Sequence, residues 1–451
     1  METEMEKKTV MCLLTDQEGA PLCSAMYLPH NIGLSQLTQL VNKLLNNEEP
    51  LPYSFYVSDE ELLVSVGSYM DSNRVSVEHI LKIVYQQQAI FRIRPVNRCS
   101  QTISGHRSEV LCVSFSPDGK QLASGSGDRN VRLWDLNTET PMFTCRGHNN
   151  HVLSVAWSPD AKCLVSGDKD GKVCCWDPIK GELQGRLLPG HGKWITGIAW
   201  EPAHLSCPSR RFVTCSRDGD ARIWDFVLRR TLICLNGHTD GVSCVKWGGD
   251  GTIYTGSKDR TIIMWDSNQG TVKNVLKEPT GHGHWVNTLS LSTDYVLRTG
   301  AFDHTRKEIS SDEDMKKLAL ERYNKAAKDS PERLVSGSDD HTMFLWEPSV
   351  SLQPKKRMMG HQENVNHVSF SPNGQWIASA SFDRSITWSA DSRMLLSCSS
   401  DSTLKIWEIR TKSLKQDLPG HRDEVYAVDW SPDGEKVASG GKDTNLKLWK
   451  G

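Results

Sequence analysis

The dipeptide Gly-His occurs at 105–106, 147–148, 190–191, 237–238, 281–282, 360–361 and 420–421, and four of the six intervals between these pairs are 42, 43, 47 and 44 residues. A period of about 40–45 residues means that one supersecondary unit is stacked repeatedly, because a single unit of that size cannot bury its own apolar face. After Gly105-His106 comes an alternating stretch, Val110-Leu-Cys-Val-Ser-Phe115, then a turn at Ser116-Pro-Asp-Gly119 and a second stretch, Leu122-Ala-Ser-Gly-Ser126. An Asp turn follows, then a third stretch that ends in Leu133-Trp134-Asp135. Three period-2 strands per unit, with a fourth in the residues before the next Gly-His, make one propeller blade.

From about residue 97 to 451 the repeat resembles the WD-repeat family. The resemblance implies a buried hydrogen-bonded tetrad in each blade: His106, Asp128 and Trp134 with Ser124 or Ser126; His148, Asp170 and Trp176; His238, Asp259 and Trp265. His, Ser and Asp together also suggest a hydrolase triad. A triad occurs once per active site, whereas this constellation recurs, and the need to pair buried polar groups accounts for it. With no phosphate loop, zinc-ligand spacing or nucleophile elbow in the sequence, the expectation is a non-enzymatic protein without a cofactor. Cys99-Ser-Gln-Thr-Ile103 precedes the first Gly-His with no blade of its own, and the last blade has only three strands of its own. The early segment is expected to supply the outer strand of the last blade and so remove the open edge.

Two intervals break the period. From Gly281 to Gly360 the distance is 79 residues, and the excess contains Asp312-Glu-Asp-Met-Lys-Lys-Leu-Ala-Leu-Glu-Arg-Tyr, a helix former with its acids at the start. A helical insertion is expected at about 303–332, first as a solvated excursion and second as a partner-binding element. From Gly360 to Gly420 the distance is 60 residues. There Trp376 to Ile386 reads as a second strand, an Asp turn and the opening of a third, but Thr387-Trp-Ser-Ala-Asp-Ser392 reads as the end of a first strand and its turn, like Asp429-Trp-Ser-Pro-Asp-Gly434. Two blades need about 86 residues, so about 26 are missing at an irregular junction near 382–392, as if an eight-blade ring had lost a blade's worth of strands. The loss leaves neither flanking blade complete and is expected to give one merged, irregular blade. The rival reading is a seven-bladed ring with a 17-residue insertion.

Residues 1–92 read as a separate small α+β domain: strand Thr9–Leu14, a turn at Gly19, a second strand from Leu22 to Leu28, a helix from Ser35, then Tyr53–Val57 and a last strand His79–Tyr85. Leu37, Leu40, Val41, Leu44 and Leu45 fall at helical spacing and read as core. The order is that of a ubiquitin-like roll, and 93–451 is left for the propeller. Such a domain before a WD propeller resembles the Notchless family, on Pro50-Leu-Pro-Tyr-Ser-Phe55, Ile83-Val-Tyr-Gln-Gln-Gln-Ala-Ile-Phe-Arg92, Gly190-His-Gly-Lys-Trp-Ile-Thr-Gly197, Gly281-His-Gly-His-Trp-Val-Asn287 and Leu418-Pro-Gly-His-Arg-Asp-Glu-Val-Tyr-Ala-Val-Asp-Trp430. The resemblance implies a scaffold for assembling the 60S ribosomal subunit in the nucleus and nucleolus. It also implies that the AAA ATPase midasin grasps the ubiquitin-like domain through a metal-ion-dependent adhesion site. Aligning the residues before the last strand places the carboxylate that completes that site in trans at Glu78, with no metal held by the isolated chain and Glu60 and Glu61 as competitors. The family name also links it to Notch signalling, so a signalling scaffold or ubiquitin-ligase substrate receptor is the alternative.

With 53 Lys plus Arg against 55 Asp plus Glu, no global field draws the chain to nucleic acid, and contact with rRNA needs a local patch such as Arg210-Arg211, Arg229-Arg230 or Lys355-Lys-Arg357. No apolar run is long enough for a bilayer. Thirteen cysteines without paired spacing read as reduced, buried thiols. Four residues past each Gly stand Glu109, His151, Trp194, Gly241, Trp285, Asn364 and Glu424. Trp194, Trp285 and Glu424 on that rim are the candidate partner contacts of the propeller.

Overall fold

The computed structural model describes residues 9–16, 19–47, 51–58, 60–62, 64–73, 80–87, 92–277, 279, 281–305, 309, 311–327, 331–381 and 385–451. The chain forms two compact units, Met1–Arg92 and Ile93–Gly451.

In the first unit a five-stranded sheet runs in the order β2-β1-β5-β3-β4, built from β1 (Thr9–Thr15), β2 (Met26–Pro29), β3 (Tyr53–Val57), β4 (Glu60–Glu61) and β5 (Leu81–Gln87). The central β1 and β5 are parallel, and every other pairing is antiparallel. Alternation puts Val10, Cys12 and Leu14 of β1 and Phe55 and Val57 of β3 into one core. Helix α1 (Leu34–Leu44) lays Leu37 and Val41 on that core, but Leu44 and Leu45 are 37% exposed. The apolar stripe therefore overstates the core: only the part of the helix facing the sheet is covered. Asn42, also buried, both donates to and accepts from the backbone of Leu51, which fixes the loop back to β3. A second helix, α2 (Val66–Asn73), places Val66 and Met70 in the same core. Its short polar sequence carries no periodic signal.

The second unit is a ring of eight sheets whose first strands pack side by side around a central cavity of about 590 Å³. Among the described residues, seven sheets have four strands and one has two. Arg98–Ser104 pairs antiparallel with Asn445–Lys450, so the early segment supplies the outer strand of the last blade, as the sequence suggested. A second tryptophan series joins neighbours: the Trp157 indole donates to Ser114 O of the previous blade and Trp200 to Ala156 O.

The disturbed stretch 365–410 is neither a merged blade nor an insertion in a seven-bladed ring. His367–Phe370 and Ile377–Ala380 form a two-stranded sheet, and Ser385–Trp388, Met394–Cys398, Thr403–Glu408 and Ser413–Pro419 form a complete next blade. The junction residues 385–386, expected to open a third strand, instead open a first strand. Trp388 donates to Ser369 O, the bond that Trp157 and Trp200 make elsewhere, which seats this strand as the next blade's innermost. One blade is thus halved and its neighbour is whole. The expectation of two incomplete blades failed because four residues suffice to begin a first strand.

The insertion in the fifth blade is not a solvated excursion. Helix α3 (Asp294–Thr299) lies across one end of the central cavity, where Arg298 Nη1 is 2.8 Å from Asp429 Oδ1 and Tyr295 donates to Pro432 O, both in the last blade. Gly300, at φ 55°, follows; a Cβ there would stand 2.6 Å from Pro159 O of the second blade, so only glycine permits this approach. Helix α4 (Asp312–Ala327) buries Met315 and Ala319 against Ala203 of the third blade, stacks Tyr323 on His204 at 4.5 Å and pairs Asp312 with Lys162 of the second. Glu332 accepts from Thr293 and from the Gly249 N–H of the fourth blade. Few apolar residues are needed, because the insertion buries polar groups that find partners on several blades.

Candidate functional site: the entrance rim

Six blades contain a full buried tetrad. In the first, the Trp134 indole N–H donates to Ser124 Oγ at 2.8 Å, which directs the hydroxyl proton to His106 Nε2 at 2.8 Å, and His106 Nδ1–H donates to Asp128 at 3.0 Å. The chain of bonds assigns a proton to Nδ1, on the side of the ring that faces the carboxylate. The same arrangement joins His191, Asp218, Thr214 and Trp224, and likewise His238, Asp259, Thr255 and Trp265. It recurs at His282, Asp340, Ser336 and Trp346, and at His421, Asp443, Ser439 and Trp449. Burial alone raises the Asp128 carboxyl, but hydrogen bonds from His106 and the Arg107 N–H outweigh it and hold the group well below the usual carboxylate range. The same contest brings Asp259 down to about 2. The Ser–His–Asp order resembles a hydrolase triad, yet Ser124 is fully buried and its oxygen already carries the Trp134 donor. No face of that oxygen is open to a substrate.

In the second blade the expected Asp170 is not the tetrad carboxylate. His148 Nδ1 meets Asp168 Oδ2 at 2.9 Å, with Ser166 and Trp176 completing the set. Asp168 ends the second strand where the first blade has Ser126, and from there, fully buried, it reaches the imidazole directly. Asp170 is left in the turn, where it accepts from Asn150.

The rim position is fixed by a backbone bond that repeats from blade to blade. Gly127 N–H donates to Glu109 O, Lys169 to His151 O, Arg217 to Trp194 O, Lys258 to Gly241 O, Asp339 to Trp285 O and Lys442 to Glu424 O. Each rim residue is therefore held at an equivalent point of its blade. Trp194 and Trp285, 40% and 39% exposed, are covered by cations: Lys169 Nζ and Arg217 Cζ stand 4.6 and 5.0 Å from the Trp194 ring centre, and Lys258 Nζ 3.6 Å from that of Trp285. A groove lined by Lys193, Trp194, Arg217 and Lys258 continues to Trp285 and Asn287. Glu424 stands on the last blade, 4.0 Å from Lys442, and is not brought together with the two tryptophans. The three cations escape a reading of the sequence, although each immediately precedes the turn in Ser-Gly-Asp-Lys169-Asp, Cys-Ser-Arg217-Asp and Gly-Ser-Lys258-Asp.

Within the basic clusters Arg210 pairs with Asp225, Arg211 with Glu201 and Lys355 with Glu347. Glu78 lies outside the described residues; Glu60 and Glu61 are exposed on β4. No group of three His, Cys, Asp or Glu suited to a metal is found among the described residues, and no described helix is long and apolar enough to cross a membrane.

The model of the WD domain, G-beta repeat, matches residues 97–135, 139–177, 181–225, 229–266, 352–387, 384–408 and 412–450, and that of the NLE (NUC135) domain matches 10–70. The chain is similar to the Notchless protein homolog of Arabidopsis thaliana, at 69% identity over 86% of this chain and 80% of that protein. It is 50% identical to Protein Notchless of Drosophila melanogaster over 82% of this chain and 76% of that one. It is 45% identical to Ribosome assembly protein 4 of Saccharomyces cerevisiae over 82% and 75%.

Proposed function

The chain belongs to the Notchless family, and on that premise we propose that it is a non-enzymatic assembly factor for the 60S ribosomal subunit, acting in the nucleus and nucleolus. The observation that carries this reading is the similarity to Ribosome assembly protein 4, 45% identical over 82% of the chain. In this reading the propeller docks on pre-60S proteins through its Trp194–Trp285 rim, and the N-terminal unit is the handle grasped by midasin. Glu78 supplies the carboxylate. A hard divalent cation with one open position takes a further oxygen ligand, and a Glu has the reach to provide it in trans. Binding then passes mechanical work from the ATPase to a chain whose own groups do no bond chemistry.

Gradient sedimentation tests the first part: the tagged chain should travel with pre-60S particles, whereas the Notch-signalling scaffold that the family resemblance also implies stays at the top. A pull-down with the midasin adhesion domain in Mg²⁺ tests the second. Glu78→Ala and Glu78→Asp should each lose at least about tenfold in binding, since coordination does not tolerate the shorter reach. A carboxylate offered to a partner in trans contributes little to the stability of its own chain, so both variants should melt like the parent. Unchanged binding of Glu78→Ala removes the assignment and leaves the assembly role standing.

A further inference from the structure

The half blade has a vacant edge of defined shape. Asn366 and Ser371 N–H donate to Ala380 O and Trp376 O, so the even residues of Ile377–Ala380 direct their backbone groups to the first strand. In an antiparallel pair the intervening residues point the other way, which leaves Ile377 and Ser379 facing the vacant side. Among the described residues no strand pairs there.

The flank of the preceding blade records the same vacancy. Its third-strand residues Met343 and Leu345 are half-buried, whereas the residues at those positions in the other complete blades are buried: Val131 and Leu133, Val173 and Cys175, Ala221 and Ile223, Ile262 and Met264, Leu404 and Ile406, Leu446 and Leu448. Met358, cross-strand from Met343, is half-buried, while its counterparts Cys145, Leu235, Leu276, Leu418 and Ile103 are buried. Ser379 Oγ, bonded to His361 Nε2 at 2.7 Å, also lacks something its counterparts have. In each complete blade the tryptophan ten residues on donates to the equivalent hydroxyl; here that residue is Ser389, in the next blade's turn.

We propose that this gap accepts a β-hairpin from another polypeptide, whose inner strand pairs with Ile377–Ala380, covers Met343, Leu345 and Met358 and places a tryptophan indole on Ser379. The seven complete blades state the required chemistry: Asp, then apolar residues on alternate positions, then Trp six residues after the Asp, as in Asp401-Ser-Thr-Leu404-Lys-Ile406-Trp407. A second copy of this chain is a poor donor, because all of its outer hairpins are already paired within their own blades.

A fluorescein-labelled synthetic peptide of residues 401–419 serves as the probe, with anisotropy measured against the intact full-length chain. Saturable binding is expected, at least about tenfold weaker for the peptide carrying Trp407→Ala, which leaves the protein untouched. Met358→Lys in the chain, at a half-exposed position, should weaken binding by a similar factor without changing the melting temperature appreciably. No saturable binding, or affinity indifferent to both substitutions, overturns the proposal. A dimer in sedimentation that the peptide fails to dissociate also overturns it, by showing that a second copy fills the gap.

Discussion

One ring carries an addition on one side and a subtraction on the other, and the two are tolerated by different physics. The addition, α3 and α4, joins the fifth blade to the second, third, fourth and last through Arg298–Asp429, Lys162–Asp312, Tyr323 on His204 and Glu332 at Gly249. Arg298, Tyr323 and one carboxylate oxygen of Glu332 meet partners on other blades, while Arg322 donates to Gly300 O and Phe302 O of the insertion itself; pairing of this kind is the condition for burying polar groups. The subtraction, in the sixth blade, leaves an edge and an uncovered flank. The ring nevertheless closes, because closure depends on the first strands, and those are present in all eight sheets. An insertion must satisfy its own groups, whereas a deletion of outer strands leaves its neighbours unsatisfied.

The sharpest way to break this comparison is to fill the gap. A version of the chain with a third and fourth strand restored to the sixth blade should melt higher by roughly 10 °C, taking on the order of 5 kcal/mol for the regained ladder and the burial of three apolar side chains, and about 2 °C per kcal/mol for a domain of this size. Calorimetry of the two forms checks it, and equal melting temperatures would mean that the flank of the fifth blade is already adequately covered.

A smaller effect separates the complete blades from the half blade at one atom type. Ser124→Ala strands the buried Trp134 and His106 nitrogens together and should cost about 2–4 kcal/mol in urea unfolding. Ser379→Ala removes a single bond to a half-buried His361 and should cost about 1 kcal/mol. If the two costs are alike, the tetrad tryptophan contributes nothing to holding a third strand. The seventh blade already shows that the histidine is dispensable for strand pairing: Trp407 bonds Ser397 at 3.0 Å in a four-stranded sheet that has no Gly-His of its own.

What the sequence makes legible follows the range of each interaction. The Gly-His period, the period-2 strands and the shared outer strand of the last blade are local patterns repeated many times, and the fold follows from them. Ser385–Trp388 is legible in its second half, since Thr387-Trp388 matches other first-strand ends. Asp168 is passed over because the repeat pattern favours Asp170, two residues along, and only the direction of a strand-end side chain decides between them. Arg217 sits over Trp194 of its own blade, whereas Lys169 and Lys258 reach the tryptophan of the following blade, and no linear spacing reveals either contact. The packing of α3 and α4 is wholly long-range, and its polar, weakly amphipathic sequence reads as solvated.

The smallest prediction concerns that polar packing. Glu332 is half-buried with its carboxylate turned into the protein, and desolvation there pushes its carboxyl up to about 7, with Asp250 and Asp294 adding to the rise while Thr293 and the Gly249 N–H oppose it. Below pH 4.5 the group is protonated in both folded and unfolded chains and contributes no pH dependence. Between 4.5 and 7 the unfolded chain ionises while the folded chain holds its proton, so this group lowers stability as pH rises; above 7 the loss is constant. Glu332→Gln keeps an oxygen for Thr293 and Gly249 and removes the titration. It should stabilise the chain by about 1–3 kcal/mol at pH 8, the range set by about 1.4 kcal/mol for each tenfold difference in proton affinity between the folded and unfolded chains, less the imperfect fit of an amide, and by little at pH 4.5. The tetrad aspartates run the other way: the low carboxyl of Asp259 withdraws stability only as pH falls from about 4 towards 2, so the two effects occupy separate windows. Melting curves of parent and Glu332→Gln from pH 4.5 to 8 measure the difference. A constant gap across that range would place the charge of Glu332 outside the energetics of the insertion and make the brace one of shape alone.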